Sequence, residues 1–91
     1  MKRNRIDTLC DILTLSTNGI KKTHIMYRAN LSHLQLEKFL EVLISKELLM
    51  KEFNSYKTSS KGLAFLEECA KIQSLLGENK KGKLQNAEIF N

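Results

Sequence analysis

No stretch of this 91-residue chain approaches the roughly 20 consecutive apolar residues that a membrane helix requires. The segment Met1-Lys2-Arg3-Asn4-Arg5 leads into an amphipathic pattern and not into the apolar core of a signal peptide, so a cytoplasmic location is expected. Cysteine is scarce. Cys10 and Cys69 stand far apart in the chain, with no second pair of metal ligands near either. Neither a zinc site nor a disulfide framework is expected, and both read as small core residues. His24 and His33 have no carboxylate, serine or cysteine converging on them at a consistent spacing, which leaves no acid–base or nucleophilic centre. The expectation is a protein that is not an enzyme and uses no cofactor or metal. There is no internal repeat and no low-complexity tract.

What is present describes one folded unit. An apolar fraction of 42% with 27% charged residues is ordinary for a globular domain, and at this length roughly 60–65% of the unfolded chain's surface can be buried around a single core. Fifteen Lys and Arg against ten Asp and Glu give a formal charge of +5, a balance that draws polyanionic partners through long-range attraction.

Asn4 is suited to cap a first helix, with Asp7 three residues on, and Ile6, Leu9, Cys10 and Leu13 then repeat at helical spacing up to a stop at Asn18-Gly19. Ile20 and Lys21 are long enough for a very short strand. Thr23 has N-cap chemistry for a second helix carrying Ile25, Met26 and Ala29 inward, and Asn30-Leu31-Ser32 forms a turn into a third. That third helix, Ser32 to Ser45, has Leu36, Phe39, Leu40, Leu43 and Ile44 on a core stripe and His33, Gln35, Lys38 and Glu41 on the other face. Leu48–Phe53 and Tyr56–Thr58 are β-compatible runs, joined by Asn54-Ser55, a weaker hairpin signal than Asn-Gly. Ser59 caps a fourth helix in which Phe65, Cys69, Ile72 and Leu76 form a stripe widened by Leu63, Leu66 and Ala70, and Gly77 ends it. The segment 77–91 has no apolar periodicity and reads as a flexible tail.

Helix, helix, turn, helix, hairpin, helix is the order of a winged helix-turn-helix: a mainly α fold with a small β-hairpin and an additional C-terminal helix. The expected organisation is a winged-helix DNA-binding domain over 1–66, a helix over 59–76 that overlaps its core, and the tail. Two stretches carry a closer likeness, Lys22-Thr23-His24-Ile25-Met26-Tyr27-Arg28-Ala29-Asn30-Leu31-Ser32 and Tyr56-Lys57-Thr58-Ser59-Ser60-Lys61-Gly62. Over about Ile6 to Leu66 the chain resembles the archaeal winged-helix family of small dimeric chromatin-type proteins and related transcriptional regulators. The resemblance implies a recognition helix within Leu31–Ile44 and a fourth helix that often extends into an antiparallel coiled coil joining two subunits. This chain departs from that pattern in having His33 where the family tends to have an aromatic, Glu47 where it usually has Gly, and Gly77 cutting the fourth helix short.

The expected DNA-contacting residues fall into two sets. Ser32, His33, Gln35 and Lys38 stand at the start of the third helix, where side chains meet base edges and Gln can pair with adenine through two hydrogen bonds. Lys21, Lys22, Thr23, Arg28, Lys51, Lys57 and Lys61 stand before and along the second helix and around the wing, where phosphate contacts are made. Between Lys21 and Lys61 there are eight basic residues against four acidic, so most of the charge excess lies in this unit. Each of these side chains also has an ordinary reading as a solvated surface group. Lys2, Arg3 and Arg5 allow a basic arm or simply a frayed terminus. Cys69, Ile72 and Leu76 are expected to form a homodimer seam. Function is expected to be double-stranded DNA binding by a nucleoid-associated regulator or chromatin component, the alternative being a winged helix that binds another protein.

Overall fold

The computed structural model describes residues 4–75. Within them the chain forms α1 (Arg5–Leu15), α2 (Lys22–Ala29), α3 (His33–Ser45), β1 (Leu49–Lys51), β2 (Tyr56–Thr58) and α4 (Ser60–Leu75). This is the expected winged helix-turn-helix order with a further helix at its C-terminal end. The expected helix stop at Gly77 and the segment 77–91 lie outside the described residues.

Local chemistry sets the boundaries. Asn4 caps α1, its side-chain oxygen accepting from the Asp7 N–H at 2.8 Å, so one of the orphan donors of the first turn is satisfied. Ser32 and Gln35 close a capping box at α3, each side chain accepting from the other's backbone N–H at 3.1 and 2.9 Å. Thr23 does not cap α2. That helix begins two residues earlier than such a cap implies, at Lys22, with Lys21 in the cap position and no side-chain cap hydrogen bond, which puts Thr23 inside the first turn.

α2 and α3 end in the same way, on a non-glycine residue in the left-handed region. Asn30 has φ 57° and Glu47 has φ 62°. The following N–H reaches back five residues in each case, Leu31 to Met26 and Leu48 to Leu43, at 3.0 and 2.9 Å. These bonds satisfy terminal carbonyls that the helix leaves open.

The hairpin is a two-stranded sheet with one isolated bridge on its outer edge. β1 and β2 are antiparallel with Leu49 opposite Thr58, Met50 opposite Lys57 and Lys51 opposite Tyr56. On the far side of β2, Ile20 exchanges both backbone hydrogen bonds with Tyr56 at 3.0 and 2.8 Å, so the short strand expected at Ile20 and Lys21 is a single bridge at Ile20, with Lys21 already at the cap of α2. The turn is longer than Asn54-Ser55: the Glu52 N–H donates to the Ser55 carbonyl at 2.7 Å, and Phe53, expected in the first strand, stands at the tip with 96% exposure. Thr58 fastens the hairpin to the helices, its hydroxyl donating to the Leu13 carbonyl at 2.6 Å and its N–H to the Ser16 carbonyl at 3.0 Å. Both groups are shielded from water, where an unmade hydrogen bond costs about 1–3 kcal/mol.

The core gathers Leu9, Ile12, Leu13, Ile25, Leu36, Leu40, Leu43, Leu48, Leu49 and Tyr56, with Met26, Phe39, Phe65 and Leu66 packed partly against it. Ile6 and Ile44, expected on inward stripes, are more exposed, at the margins of that core. α4 closes the fold by its first turn. The Ser59 hydroxyl donates to the Glu47 carbonyl at 2.7 Å and accepts from the Gly62 N–H at 2.9 Å, as an N-cap. A Cβ on Gly62 would collide with the Leu48 carbonyl oxygen and lie 2.6 Å from Thr58 Cγ2, so only glycine lets α4 sit this close to the strand.

Farther along, α4 runs antiparallel to α1, and here the structure corrects the sequence reading. Cys10 and Cys69 are joined by a disulfide, their Cα atoms 6.4 Å apart. Both are buried, as expected, but neither is a free thiol. Distance along the chain hid the pairing, because only the packing of α4 on α1 brings the two sulfurs together. One turn away the Gln73 side-chain amide donates to the Asp7 carboxylate at 3.1 Å. Closing a loop of 59 residues stabilises the native state by about 4 kcal/mol in the chain-entropy model.

Glu47 carries a testable consequence. A left-handed residue with a Cβ costs roughly 1–2 kcal/mol, part of which glycine returns as greater freedom in the unfolded chain. Glu47→Gly should therefore raise stability by roughly 0.5–1 kcal/mol; an unchanged or lower denaturation midpoint at constant m-value would contradict this.

Candidate nucleic-acid interface

α3 presents two distinct sides. Leu36, Leu40 and Leu43 are buried, and the 3.6-residue repeat puts Leu34, Lys38, Glu41 and Ser45 diametrically opposite, all exposed. His33 and Glu37 lie on one flank of that outer stripe and Gln35 on the other. This outer stripe is the part of the helix that a major groove can receive.

Of the residues expected to meet base edges, Lys38 is on the stripe and His33 beside it. Ser32 and Gln35 are engaged with each other in the capping box. The Gln35 side-chain oxygen already accepts the Ser32 N–H, so the two-bond contact with adenine expected of Gln35 requires opening the box. Its side-chain NH2 remains able to donate.

The cationic residues surround the helix from several elements. Lys22, in the first turn of α2, is hydrogen-bonded and ion-paired to Glu37 of α3. The His33 imidazole lies 3.5 Å from the same carboxylate. The Lys22 hydrogen bond holds the Glu37 carboxyl below its ordinary range against an opposing contribution from desolvation, with further help from the charges of Lys22, His33 and Lys51. In return the Glu37 hydrogen bond raises the Lys22 ammonium above its ordinary value. One carboxylate thus has Lys22 of α2 and the His33 imidazole of α3 beside it and feels the charge of Lys51 of β1. Lys21, Thr23 and Arg28 are exposed on α2. Lys57 points outward from β2 beside Met50, between the inward Tyr56 and Thr58. Lys61 is exposed on the first turn of α4.

Three features escaped the sequence reading. The pairing of Glu37 with Lys22 left no local signal, since the two are fifteen positions apart, whereas its approach to His33 follows the i,i+4 spacing of α3. The exposure of Tyr27 at 86% and of Leu34 at 66% was available from periodicity, because each falls outside the inward stripe of its helix. The expected dimer seam also changes. Cys69 is turned inward into the disulfide at 3% exposure, Ile72 is half-exposed at 48%, and Leu76 lies outside the described residues.

A helix-turn-helix followed by a hairpin wing, with the outer side of α3 open to solvent, defines the class of winged-helix domains, an architecture used for DNA binding in general and typically without catalysis. The family model described as winged helix-turn-helix matches residues 2–77, and the chain belongs to that family. No curated protein is similar enough to this chain to count as a match. Among the described residues no helix is long and apolar enough to cross a membrane, and no group of His, Cys, Asp and Glu is placed to hold a metal ion.

The Glu37 cluster predicts a specific titration. With Lys22→Met, the carboxyl loses the hydrogen bond that chiefly lowers its pKa, and its midpoint should move up toward that of a free glutamate. The side-chain carboxyl carbon resonance followed by NMR from acid to neutral pH reads this directly; a midpoint that stays where it was would mean that Lys22 is not the dominant partner in solution.

Proposed function

We propose that this protein binds double-stranded DNA as a transcriptional regulator or chromatin-associated protein of the archaeal type, with α3 in the major groove and the wing along the backbone. The observation that supports this reading best is the meeting of cations from two other elements on α3, Lys22 of α2 ion-paired to Glu37 and Lys51 of β1 near enough for its charge to be felt there. Lys21, Arg28, Lys38 and Lys57 are further exposed cations on the cap of α2, on α2, on α3 and on the hairpin, and polyanion binding draws its phosphate contacts from several elements. In this reading Lys38 and His33 meet base edges, while Lys21, Thr23, Arg28, Lys51, Lys57 and Lys61 hold phosphates. Lys22 does so in exchange with Glu37. Ser32 and Gln35 chiefly set the start of the helix. A cytoplasmic, nucleoid-associated location follows from that role.

Two copies act together in this proposal. Ile6, Phe65 and Ile72 line a cleft of about 190 Å³ between the start of α1 and α4, and Leu75 continues the apolar surface at 86% exposure. A second copy's α4 laid antiparallel along this surface would cover it and set two recognition helices on one duplex. Ile72→Glu should convert a sedimenting dimer to monomer without loss of helical signal, since an unpaired charge buried in a seam is strongly unfavourable; a protein that is monomeric before substitution removes the dimer from the proposal.

DNA binding itself is tested by fluorescence anisotropy on random-sequence duplex at several salt concentrations. Affinity should fall steeply as salt rises, and Lys57→Ala should reduce the logarithmic slope by about 1, the signature of one lost phosphate contact. Binding absent at low salt, or insensitive to salt, would leave the protein-binding reading of the winged helix in its place.

A further inference from the structure

We infer that Leu34 is a base-reading residue that recognises the C5-methyl group of thymine; this rests on the DNA-binding proposal and adds to it the base that the surface selects. Leu34 is the second residue of α3, in the turn that a winged helix directs at base edges. It is 66% exposed and lies on the same outer stripe as Lys38, one turn farther on. Several side chains near it in sequence are engaged with one another. Ser32 and Gln35 hold each other in the capping box, and His33 leans on Glu37, which also holds Lys22. The most prominent apolar group on the outer side of α3 is therefore an exposed isobutyl side chain, with Lys38 one turn farther along the same stripe.

That combination selects one chemistry. Of the groups that base pairs present in the major groove, the hydrogen-bonding ones gain nothing from a leucine and lose solvation beside it. The thymine methyl is the apolar exception. A leucine whose outer stripe on α3 continues as Lys38, Glu41 and Ser45 is also unlike the contiguous apolar patch that anchors a protein partner. Leu34 thus adds an apolar contact to the polar base contacts proposed for Lys38 and His33.

Uracil isolates this contact, because it pairs as thymine does and lacks only the methyl. The full chain is titrated with an alternating dA-dT duplex and with the same duplex carrying dU at every dT. The thymine duplex should bind about four-fold more tightly for each methyl contacted, the equivalent of burying one such carbon group at about 0.8 kcal/mol. In Leu34→Ala the ratio should fall toward 1, with the affinity for the uracil duplex and the salt slope unchanged. Leu34 is exposed, so this variant keeps its fold, and circular dichroism verifies that. Equal affinities for the two duplexes with a steep salt dependence would overturn the role of Leu34 and leave the DNA-binding proposal standing. A thymine preference that survives in Leu34→Ala would also overturn it, by assigning the methyl contact to another residue. Failure to bind either duplex at low salt would instead sink the DNA-binding proposal on which the inference rests.

Discussion

The placement of the hairpin relative to α3 depends on a backbone junction at Glu47 and Leu48, where the chain leaves α3 in a left-handed turn and enters the first strand. The Leu48 N–H closes α3 through Leu43, its carbonyl accepts from the Ser59 N–H, and Gly62 packs against that carbonyl so closely that a methyl group would not fit. The Glu47 carbonyl in turn accepts the Ser59 hydroxyl. Helix end, strand start and the first turn of α4 meet within two residues, so α3 and the wing cannot rotate independently.

From this junction the charged surface acquires its form. Lys51 sits at the end of β1 opposite Tyr56, near enough to Glu37 for its charge to be felt there. Lys22 reaches the same carboxylate from α2. Three separate elements therefore share an electrostatic centre that none of them makes alone. Glu37 is also a competitor for the phosphates that this surface is proposed to bind, since each cation it holds must exchange one anion for another. That exchange favours association that is reversible and responsive to ionic strength.

The order of elements and most inward stripes were legible in the sequence because they follow local rules: caps at Asn4 and Ser32, helical spacing in α1 and α3, alternation at Tyr56-Lys57-Thr58. Glu47 stood out for the same reason, as a side chain where a helix stop wants glycine, and it is left-handed. Thr23 misled because its cap chemistry is genuine but Lys21 occupies the geometric position. The disulfide, the Lys22–Glu37 pair and the tight fit at Gly62 were not legible, because each joins segments far apart in the chain. Among the expected contact residues the distinction is similar. Exposure of the lysines was readable from pattern, whereas the engagement of Gln35 with Ser32 depended on which of two compatible roles the side chain takes.

The covalent link between Cys10 and Cys69 turns most of the domain into a closed ring that includes α2, α3, both strands and the first part of α4. A protease that nicked the exposed hairpin tip around Phe53 would open this ring without dividing the molecule. The two pieces would stay tethered through sulfur, and would separate on a denaturing gel only after treatment with a thiol. The domain is thus protected against fragmentation at its exposed hairpin tip.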